Sequence, residues 1–329
     1  MEYIKLGNSD LNVSRICLGC MGFGDANLGH HSWTLDAERS KEIIKAALNN
    51  GINFFDTAMG YAGGTSEEYL GRIIKDLTAR QNAIIATKFL PRTEDEIASG
   101  ISGQKHVAIC LDNSLRRLGT DYVDLYICHM WDYHTPIEEI MEGLNTAVKQ
   151  GKARAIGISN CYAWQLEKAN ALAERNGFAK FVSVQGHYNL LFREEEREMF
   201  PCCEENGIAL TPYSPLASGR LVKPADEVTK RLETDNVAKS KYDLTKEQDG
   251  IIIARVAELA ENKGLTRTQI ALGWLLTKVA SPIVGATKVK HIEDAVAAVG
   301  VKLTAEEIAY LEESYVPHKL VGVMQFNHK

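Results

Sequence analysis

Short apolar runs alternate with amphipathic stretches along most of the chain. The runs are rich in Val, Ile and Phe, which is typical of strands buried on both faces. The stretches between them repeat apolar residues every three or four positions, which predicts helices. Strands are expected at 15–18, 53–56, 83–88, 123–129, 153–158, 181–185, 208–213 and 282–284. Eight strand–helix units predict an α/β fold whose parallel sheet closes into a (β/α)8 TIM barrel.

Several of the predicted helices end just before a glycine, which readily takes the left-handed conformation that terminates a helix. Ser66, followed by Glu67 and Glu68, is the expected N-cap of the second helix. A doubly wound sheet would alternate in the same way, but no G-x-G-x-x-G follows the first strand. Helices are expected at 41–49, after 66, and at 105–118, 137–149, 162–176, 194–206, 251–263, 268–277, 291–299 and 305–314.

Three segments lie outside this alternation. Residues 3–6 and 11–13 predict an N-terminal β-hairpin with its turn at Gly7-Asn8. The charged stretch 216–249 predicts an insert near a ligand, although its composition fits a solvated surface loop equally well. The C-terminal tail after residue 314 is expected to lie over the barrel mouth. The whole chain, 1–329, is expected to form a single domain.

Composition and charge exclude several classes of function. The 329 residues are 45% hydrophobic and 24% charged, and the net charge is −6, which gives no general attraction for nucleic acid or an anionic membrane. Seven cysteines without an apolar leader suggest reduced thiols and a cytoplasmic location. Cys17 and Cys20 form a C-x-x-C pair without a second pair or a nearby histidine, so no metal is expected.

Polar residues cluster at the predicted carboxyl ends of the strands, where the active sites of barrels lie. Taken singly, each could cap a helix or pack in the core. Taken together, they are expected to converge on one small surface. They are Asp56, Lys88, His129, Ser159-Asn160, Gln185 and Tyr213-Ser214, with Tyr61 in the loop after the second strand.

A tyrosine, a lysine, a carboxylate and a histidine together predict proton transfer. A free tyrosine has a pKa near 10 and donates a proton poorly at neutral pH. We expect the Lys88 ammonium to lower the pKa of Tyr61, and Asp56 to hold Lys88 as an ion pair. His129 would orient a carbonyl oxygen. No nucleophile with a base is evident, so acyl transfer is not expected.

The later strands predict a cofactor site. Ser159, Asn160 and Gln185 carry groups that suit a carboxamide, and Tyr213 could stack on a flat ring. The run 214–220 offers backbone donors and a guanidinium for a pyrophosphate. The run 285–288 precedes a helix whose N-terminus would attract a further phosphate.

Seven segments together resemble the aldo-keto reductase family along essentially the full chain. They are FDTAMGYAGGTSEEYLG, ATKF, DYVDLYICHMWD, AIGISN, VQGHYN, YSPLASGRL and IVGATK. The resemblance is strongest to the bacterial branch that is also similar to the β subunits of voltage-gated potassium channels. It implies NADPH-dependent reduction of aldehydes and ketones by a catalytic tetrad of Asp56, Tyr61, Lys88 and His129, with Tyr61 as the proton donor.

The resemblance further implies that NADPH or NADP+ lies extended across the barrel mouth, without a Rossmann domain. His291 stands where the family often has arginine or glutamine, and Asp294-Ala295 replaces its usual Glu-Asn pair, which loses an amide contact to adenine. The implied cofactor-binding residues are Met21, Asp56, Ser159, Asn160, Gln185, Tyr213, Ser214, Pro215, Leu216, Ser218, Gly219, Arg220, Gly285, Thr287, Lys288, His291 and Asp294.

The substrate is expected to be a small carbonyl compound, such as a short aldehyde, a 2-oxoaldehyde or a sugar. Trp33, Phe89, Trp131 and Tyr133 could wall its pocket beside Tyr61 and His129, or could pack at the rim. One alternative is an NADPH-binding regulatory subunit with weak reductase activity. Another is a metal-dependent hydrolase, for which the histidines lack suitable spacing.

Overall fold

The computed structural model describes residues 1–29, 33–223 and 235–328. The predicted hairpin is present, with β1 (Tyr3–Lys5) antiparallel to β2 (Asn12–Ser14). All eight predicted barrel strands are also present. They are β3 (Cys17–Gly19), β4 (Phe54–Asp56), β5 (Ile84–Phe89), β6 (Val123–Cys128), β7 (Ala153–Ser159), β8 (Phe181–Gln185), β9 (Ala209–Leu210) and β10 (Ile283–Gly285).

The eight barrel strands pair in parallel in the order β10-β3-β4-β5-β6-β7-β8-β9. Backbone hydrogen bonds join the two ends of this order. Ala280 N–H donates to Leu210 O at 3.0 Å, and Ile283 N–H donates to Pro212 O at 2.9 Å. The sheet therefore curls into the predicted (β/α)8 barrel, and all the strand ends that carry candidate residues meet at one mouth.

Helices surround the barrel in the predicted alternation. Their bounds are α1 (Ala37–Asn49), α2 (Thr65–Leu77), α3 (Glu94–Ala98), α4 (Gly103–Leu118), α5 (Ile137–Lys149), α6 (Ala163–Asn176), α7 (Met199–Glu205), α8 (Asn236–Tyr242), α9 (Lys246–Lys263), α10 (Arg267–Leu276), α11 (Val289–Ala298) and α12 (Ala305–Glu312).

Two helix predictions are wrong in detail. Gly64, with a φ of 94°, is the N-cap of α2, whereas the Ser66 hydroxyl lies inside the helix and donates to Cys20 O. The helix expected at 194–206 is a 3-10 turn, Glu194–Glu196, followed by α7. Pro201 explains the break, because it has no N–H to continue a helix from residue 197 but fits the first turn of a new one.

The barrel interior and the layer between strands and helices form two separate apolar cores. Successive strand side chains point to opposite faces of the sheet, so every second residue faces the interior. The hairpin supplies Leu6, Leu11 and Val13 to the interior core, where they pack with Phe54 and other inward residues. The amino-terminal end of the barrel is thereby filled with apolar side chains.

The described parts of the insert and of the tail lie at the mouth. The described part of the insert contains a 3-10 turn, Ala217–Gly219, and helix α8; residues 224–234 lie outside the described residues. The tail ends in a 3-10 turn, Gly322–Phe326, and Asn327 then hydrogen bonds to Asn160, just beyond β7. The predicted placement of the tail over the mouth is therefore confirmed.

Within residues 1–29, 33–223 and 235–328, no helix is long and apolar enough to cross a membrane. No group of three or more His, Cys, Asp or Glu side chains could hold a metal ion in the same ranges.

Candidate active site

Alternation along the strands brings the tetrad candidates to the barrel interior. Asp56 ends β4 two residues after the inward Phe54, and Lys88 follows the inward Ile84 and Ala86 at the same spacing. His129 continues the inward series of β6 one residue beyond its end. Tyr61 begins the 3-10 turn after β4, and its side chain reaches the same place from this mouth loop.

The Lys88 ammonium is the centre of the site. Lys88 is fully buried, and its Nζ donates to Asp56 Oδ1 at 2.6 Å, Thr57 O at 2.7 Å and Tyr61 Oη at 3.1 Å. These three acceptors use all three of its protons. Burial by itself lowers the pKa of Lys88, but Asp56 and Tyr61 together raise it above the ordinary value. Lys88 is therefore held as a cation directly against the tyrosine hydroxyl.

Asp56 ties this cation to a second strand. Its Oδ2 accepts a hydrogen bond of 2.9 Å from Gln185 Nε2 at the end of β8. Both oxygens of the carboxylate are therefore engaged, one by the ammonium and one by an amide. The arrangement meets the requirement that a buried charge be paired and hydrogen bonded.

The pKa of Tyr61 is shifted in the direction opposite to the prediction. Burial raises the pKa of Tyr61 above its ordinary value, and the opposing effect of the Lys88 ammonium is smaller. The expectation that Lys88 lowers the pKa below the ordinary value is therefore wrong for the isolated protein. Removal of a phenolate from water disfavours it by more than the attraction of one neighbouring cation favours it. That cation is also shared with Asp56. Tyr61 is a neutral phenol that carries its proton into the site.

His129 faces Tyr61 edge-on. The two ring centres are 5.9 Å apart with an angle of 80° between their planes. Burial, with a smaller effect from Lys88, lowers the pKa of His129 to about 3. Its buried Nδ1 has no hydrogen-bond partner among the described residues. The ring is therefore a neutral imidazole at ordinary pH.

A hydrogen-bond network runs from the tetrad to the ends of β7 and β9. Asn160 Nδ2 donates to His129 O at 3.0 Å and to Ser159 Oγ at 2.9 Å. Ser159 Oγ donates to Gln185 O at 2.7 Å, and Tyr213 Oη donates to Asn160 Oδ1 at 2.9 Å. The four residues predicted to hold a carboxamide and a flat ring therefore lie together beside His129.

Tyr213 belongs to a stack of three rings. The ring centre of His187 lies 5.4 Å from that of Tyr213, with 8° between the two ring planes. The ring centre of Phe192 lies 4.3 Å from that of His187, with 12° between their planes. The sequence analysis missed His187. It stands two residues after Gln185, so the period of a strand could have placed it on the same face. The stack fixes the plane of the Tyr213 ring.

The loop after Tyr213 carries Arg220, which lies against the end of helix α8. Arg220 Nη2 pairs with Asp243, and its guanidinium lies 5.1 Å from the centre of the Tyr242 ring. Its Nη1 is buried and has no hydrogen-bond partner within the described ranges. An unsatisfied guanidinium donor at this place suits an anionic ligand.

Backbone strain is concentrated at the mouth. Non-glycine residues rarely adopt a positive φ, and strain of this kind tends to cluster at functional sites. In the described residues, every non-glycine residue with a positive φ lies in a mouth loop beside a candidate residue. These residues are Ala62, Asn160, Ser214, Ala217 and Ser218.

The segment after β10 lies at the start of α11. Thr287 N–H donates to His291 Nδ1 at 3.3 Å, so the substituted histidine occupies one donor at this end of the helix. Asp294 forms an ion pair of 3.0 Å with Lys290. Lys288 is the N-cap of α11 and has no side-chain capping bond. The roles predicted for these residues in phosphate and adenine binding stay predictions.

The aromatic residues expected to wall a substrate pocket separate into two groups. Phe89 is buried in the outer core against Tyr126 and His106, so its predicted place in the pocket is wrong. It follows the inward Lys88 by one position and must therefore face outward. In the loop after β6, the ring centre of Trp131 lies 5.9 Å from that of Trp164, and Trp33 lies against Gly22. The places of Trp131 and Trp33 in a substrate pocket stay predictions.

Comparison with known proteins agrees with this fold. The Aldo/keto reductase family profile matches residues 15–316. The chain belongs to this family, and it is an oxidoreductase.

Similar proteins are known from fungi. The versiconal hemiacetal acetate reductase of Aspergillus parasiticus is 41% identical over 96% of this chain and 98% of its own length. A putative aryl-alcohol dehydrogenase of Schizosaccharomyces pombe is 39% identical over 97% of both chains. Neither relative places the chain in the expected bacterial branch, and that placement stays a prediction.

A solved structure supports the barrel directly. A thermostable aldo-keto reductase crystallised with the inhibitor epalrestat superposes with a TM-score of 0.75 and 30% identity, covering 95% of this chain and all of that one.

Proposed function

We propose that this protein reduces small aldehydes or ketones with NADPH, and that Tyr61 donates the proton. One observation carries the proposal: the buried Lys88 ammonium bonds both to the Tyr61 hydroxyl and to the Asp56 carboxylate. A protonated phenol backed by a cation is suited to protonate an alkoxide as it forms.

The residues at the mouth fit a nicotinamide dinucleotide. Tyr213 would stack on its ring, and Ser159, Asn160 and Gln185 surround the place where a carboxamide would bind. The unsatisfied Nη1 of Arg220 supports a pyrophosphate beside the strained loop 214–219. When bound, the nicotinamide supplies the hydride that reduces the carbonyl carbon. Met21, half-buried just beyond β3, and Gly285 would border the same surface.

The chain's own groups handle the proton. Tyr61 holds it on Oη at neutral pH because burial keeps the phenol uncharged. As negative charge develops on the substrate oxygen, Tyr61 transfers this proton, and Lys88 Nζ at 3.1 Å stabilises the phenolate left behind. Asp56 keeps Lys88 in place. The neutral His129 would hydrogen bond to the same oxygen and orient it.

Preference for NADPH over NADH is the part of the proposal that depends on Thr287, Lys288 and His291, which would meet the adenosine 2′-phosphate. The substrate would be a short aldehyde, a 2-oxoaldehyde or a sugar, bounded by Trp33 and Trp131. The seven cysteines are free thiols, which supports a location in the cytoplasm.

The test is oxidation of NADPH, and separately of NADH, against a panel of carbonyl compounds. Tyr61→Phe should lower kcat by at least about a hundredfold, because it removes the transferable proton while keeping the ring. NADPH binding, measured by quenching of tryptophan fluorescence, should be nearly unchanged. Equal turnover in the variant would refute the role of Tyr61. Tight NADPH binding without any turnover in the wild type would instead favour a regulatory subunit.

A further inference from the structure

The C-terminal tail delivers one buried amide to the candidate site. Asn327 is 7% exposed although it lies near the end of the chain. Its Nδ2 donates to Gln165 Oε1 at 3.1 Å, and its Oδ1 accepts from Gln165 Nε2 at 3.2 Å. Gln165 is itself fully buried at the start of α6. This reciprocal amide pair joins positions that are far apart in the sequence, so it fixes the tail in one place.

The same amide reaches the backbone of Asn160. Asn327 Nδ2 also donates to Asn160 O at 3.3 Å, while Asn160 N–H donates to Gln185 O at 3.4 Å. Asn160 has a φ of 48°, in the left-handed region that few residues with a side chain adopt and that asparagine tolerates best. The tail on one side and β8 on the other therefore hold both backbone polar groups of a residue in an uncommon conformation.

The side chain of Asn160 connects its backbone to two groups of the site by hydrogen bonds. Its side-chain amide donates to His129 O at 3.0 Å and accepts from Tyr213 Oη at 2.9 Å. A rotation of the Asn160 backbone would break or lengthen both bonds. The orientation of the Tyr213 ring and of the loop that carries His129 thus depends on a peptide unit that Asn327 holds.

We infer that Asn327 is a positioning residue for cofactor binding, acting through Asn160 on Tyr213 and His129. The inference rests on the function proposed above, since it assigns to Tyr213 and Asn160 the contacts with the nicotinamide. Among the described residues, the Asn327 amide hydrogen bonds to Gln165, Asn160 and Met324, and not to Tyr61 or Lys88. Its removal should therefore weaken cofactor binding without altering the proton donor.

The experiment compares two variants of Asn327 with a neighbouring control. Asn327→Ala removes the amide, and Asn327→Asp keeps its shape but loses the Nδ2 donor. Each should raise the Kd for NADPH, and the KM for NADPH, by about tenfold, the effect of losing one or two buried hydrogen bonds. Phe326→Ala is the matched control, because Phe326 adjoins Asn327 but is 72% exposed, and it should behave like the wild type.

Three readouts separate positioning from a purely structural role. The Kd comes from tryptophan fluorescence quenching by NADPH, KM and kcat from turnover of the best carbonyl substrate, and the folded fraction from circular dichroism. A positioning role raises Kd and KM in folded variants and leaves the pH profile of kcat unchanged. A structural role lowers the folded fraction with Kd and KM unchanged.

Wild-type values of Kd and KM in both folded variants would overturn the inference, and so would failure of both variants to fold. A wild-type enzyme that neither binds NADPH nor turns over carbonyl compounds would instead overturn the proposed function, and this inference with it. A working wild type with unaffected variants leaves the proposed function standing.

Discussion

Burial decides the charge of the two rings that face each other across the site. Burial raises the pKa of Tyr61 above its ordinary value and lowers that of His129 to about 3. Both rings are therefore neutral over the range in which the protein would work. The Lys88 cation beside Tyr61 is held by the Asp56 carboxylate. A site of this kind has a proton to give and a positive charge that stabilises the anion left behind.

The neutral His129 should be visible in folding stability. Its unfolded pKa is near 6.5, so between pH 6.5 and 3 the unfolded chain binds a proton that the folded chain does not. The free energy of unfolding should therefore fall as the pH falls below 6.5. His129→Gln should make this slope shallower by up to about 1.4 kcal/mol per pH unit.

Urea unfolding at several pH values between 6.5 and 4 measures this slope. His134→Gln is the control, because His134 is exposed at the surface and its removal should leave the slope as in the wild type. An identical slope in the wild type and in His129→Gln would show that His129 is not held neutral by burial.

The convergence of four side chains at the mouth could be predicted from the sequence, but the direction of the tyrosine pKa shift could not. Strand ends gave Asp56, Lys88 and His129, and the loop gave Tyr61. The pKa of Tyr61 depends on how much water the fold excludes and on how far Asp56 offsets Lys88. Neither quantity can be read from the spacing of residues in the sequence, because both depend on how the side chains pack at the barrel mouth.

At the scale of elements, one close helix contact depends on a glycine. Gly71 lies in α2 where it crosses the end of α4, and a Cβ there would be 2.0 Å from Leu118 O. Gly71→Ala should therefore destabilise the protein by about 2 kcal/mol or more, because two backbones must move apart.

Gly250 supplies the opposite case within α9. An added Cβ there meets nothing within 4 Å, and the residue is exposed. Gly250→Ala should stabilise the protein by about 0.5–1 kcal/mol through helix propensity. Chemical denaturation of both variants measures the two effects. Equal changes in stability would show that the α2–α4 contact yields without cost.

The elements also show what periodicity could and could not predict. Strand periodicity placed all eight barrel strands, yet Phe89 was assigned to the pocket although it directly follows the inward Lys88. Applying the alternation strictly would have placed Phe89 outside and His187 inside. The break between the 3-10 turn Glu194–Glu196 and α7 could have been predicted from Pro201. By contrast, Gln165 holds the tail through a hydrogen bond to Asn327, which lies 162 positions further along the chain. No local sequence pattern predicts a contact over that separation.

At the scale of the whole molecule, the barrel joins its ends through the β9–β10 hydrogen bonds and carries the site on several strands. Asp56 lies on β4, Lys88 on β5 and Gln185 on β8, and hydrogen bonds connect all three. We propose that the chain is a single cooperative domain, with the insert and tail docked on it. A ligand that contacts this set should stabilise every strand together.

Thermal unfolding with and without NADP+ tests this coupling. At a concentration one hundred times its Kd, a ligand that binds only the folded state adds about 2.7 kcal/mol to the free energy of unfolding. Fluorescence of Trp274, which is fully buried beneath α12, and circular dichroism of the helices should report one transition that shifts equally. NAD+ at the same concentration should give a smaller shift, since it lacks the 2′-phosphate. Two separate transitions, of which only one responds to NADP+, would mean that the barrel and its mouth unfold as independent units.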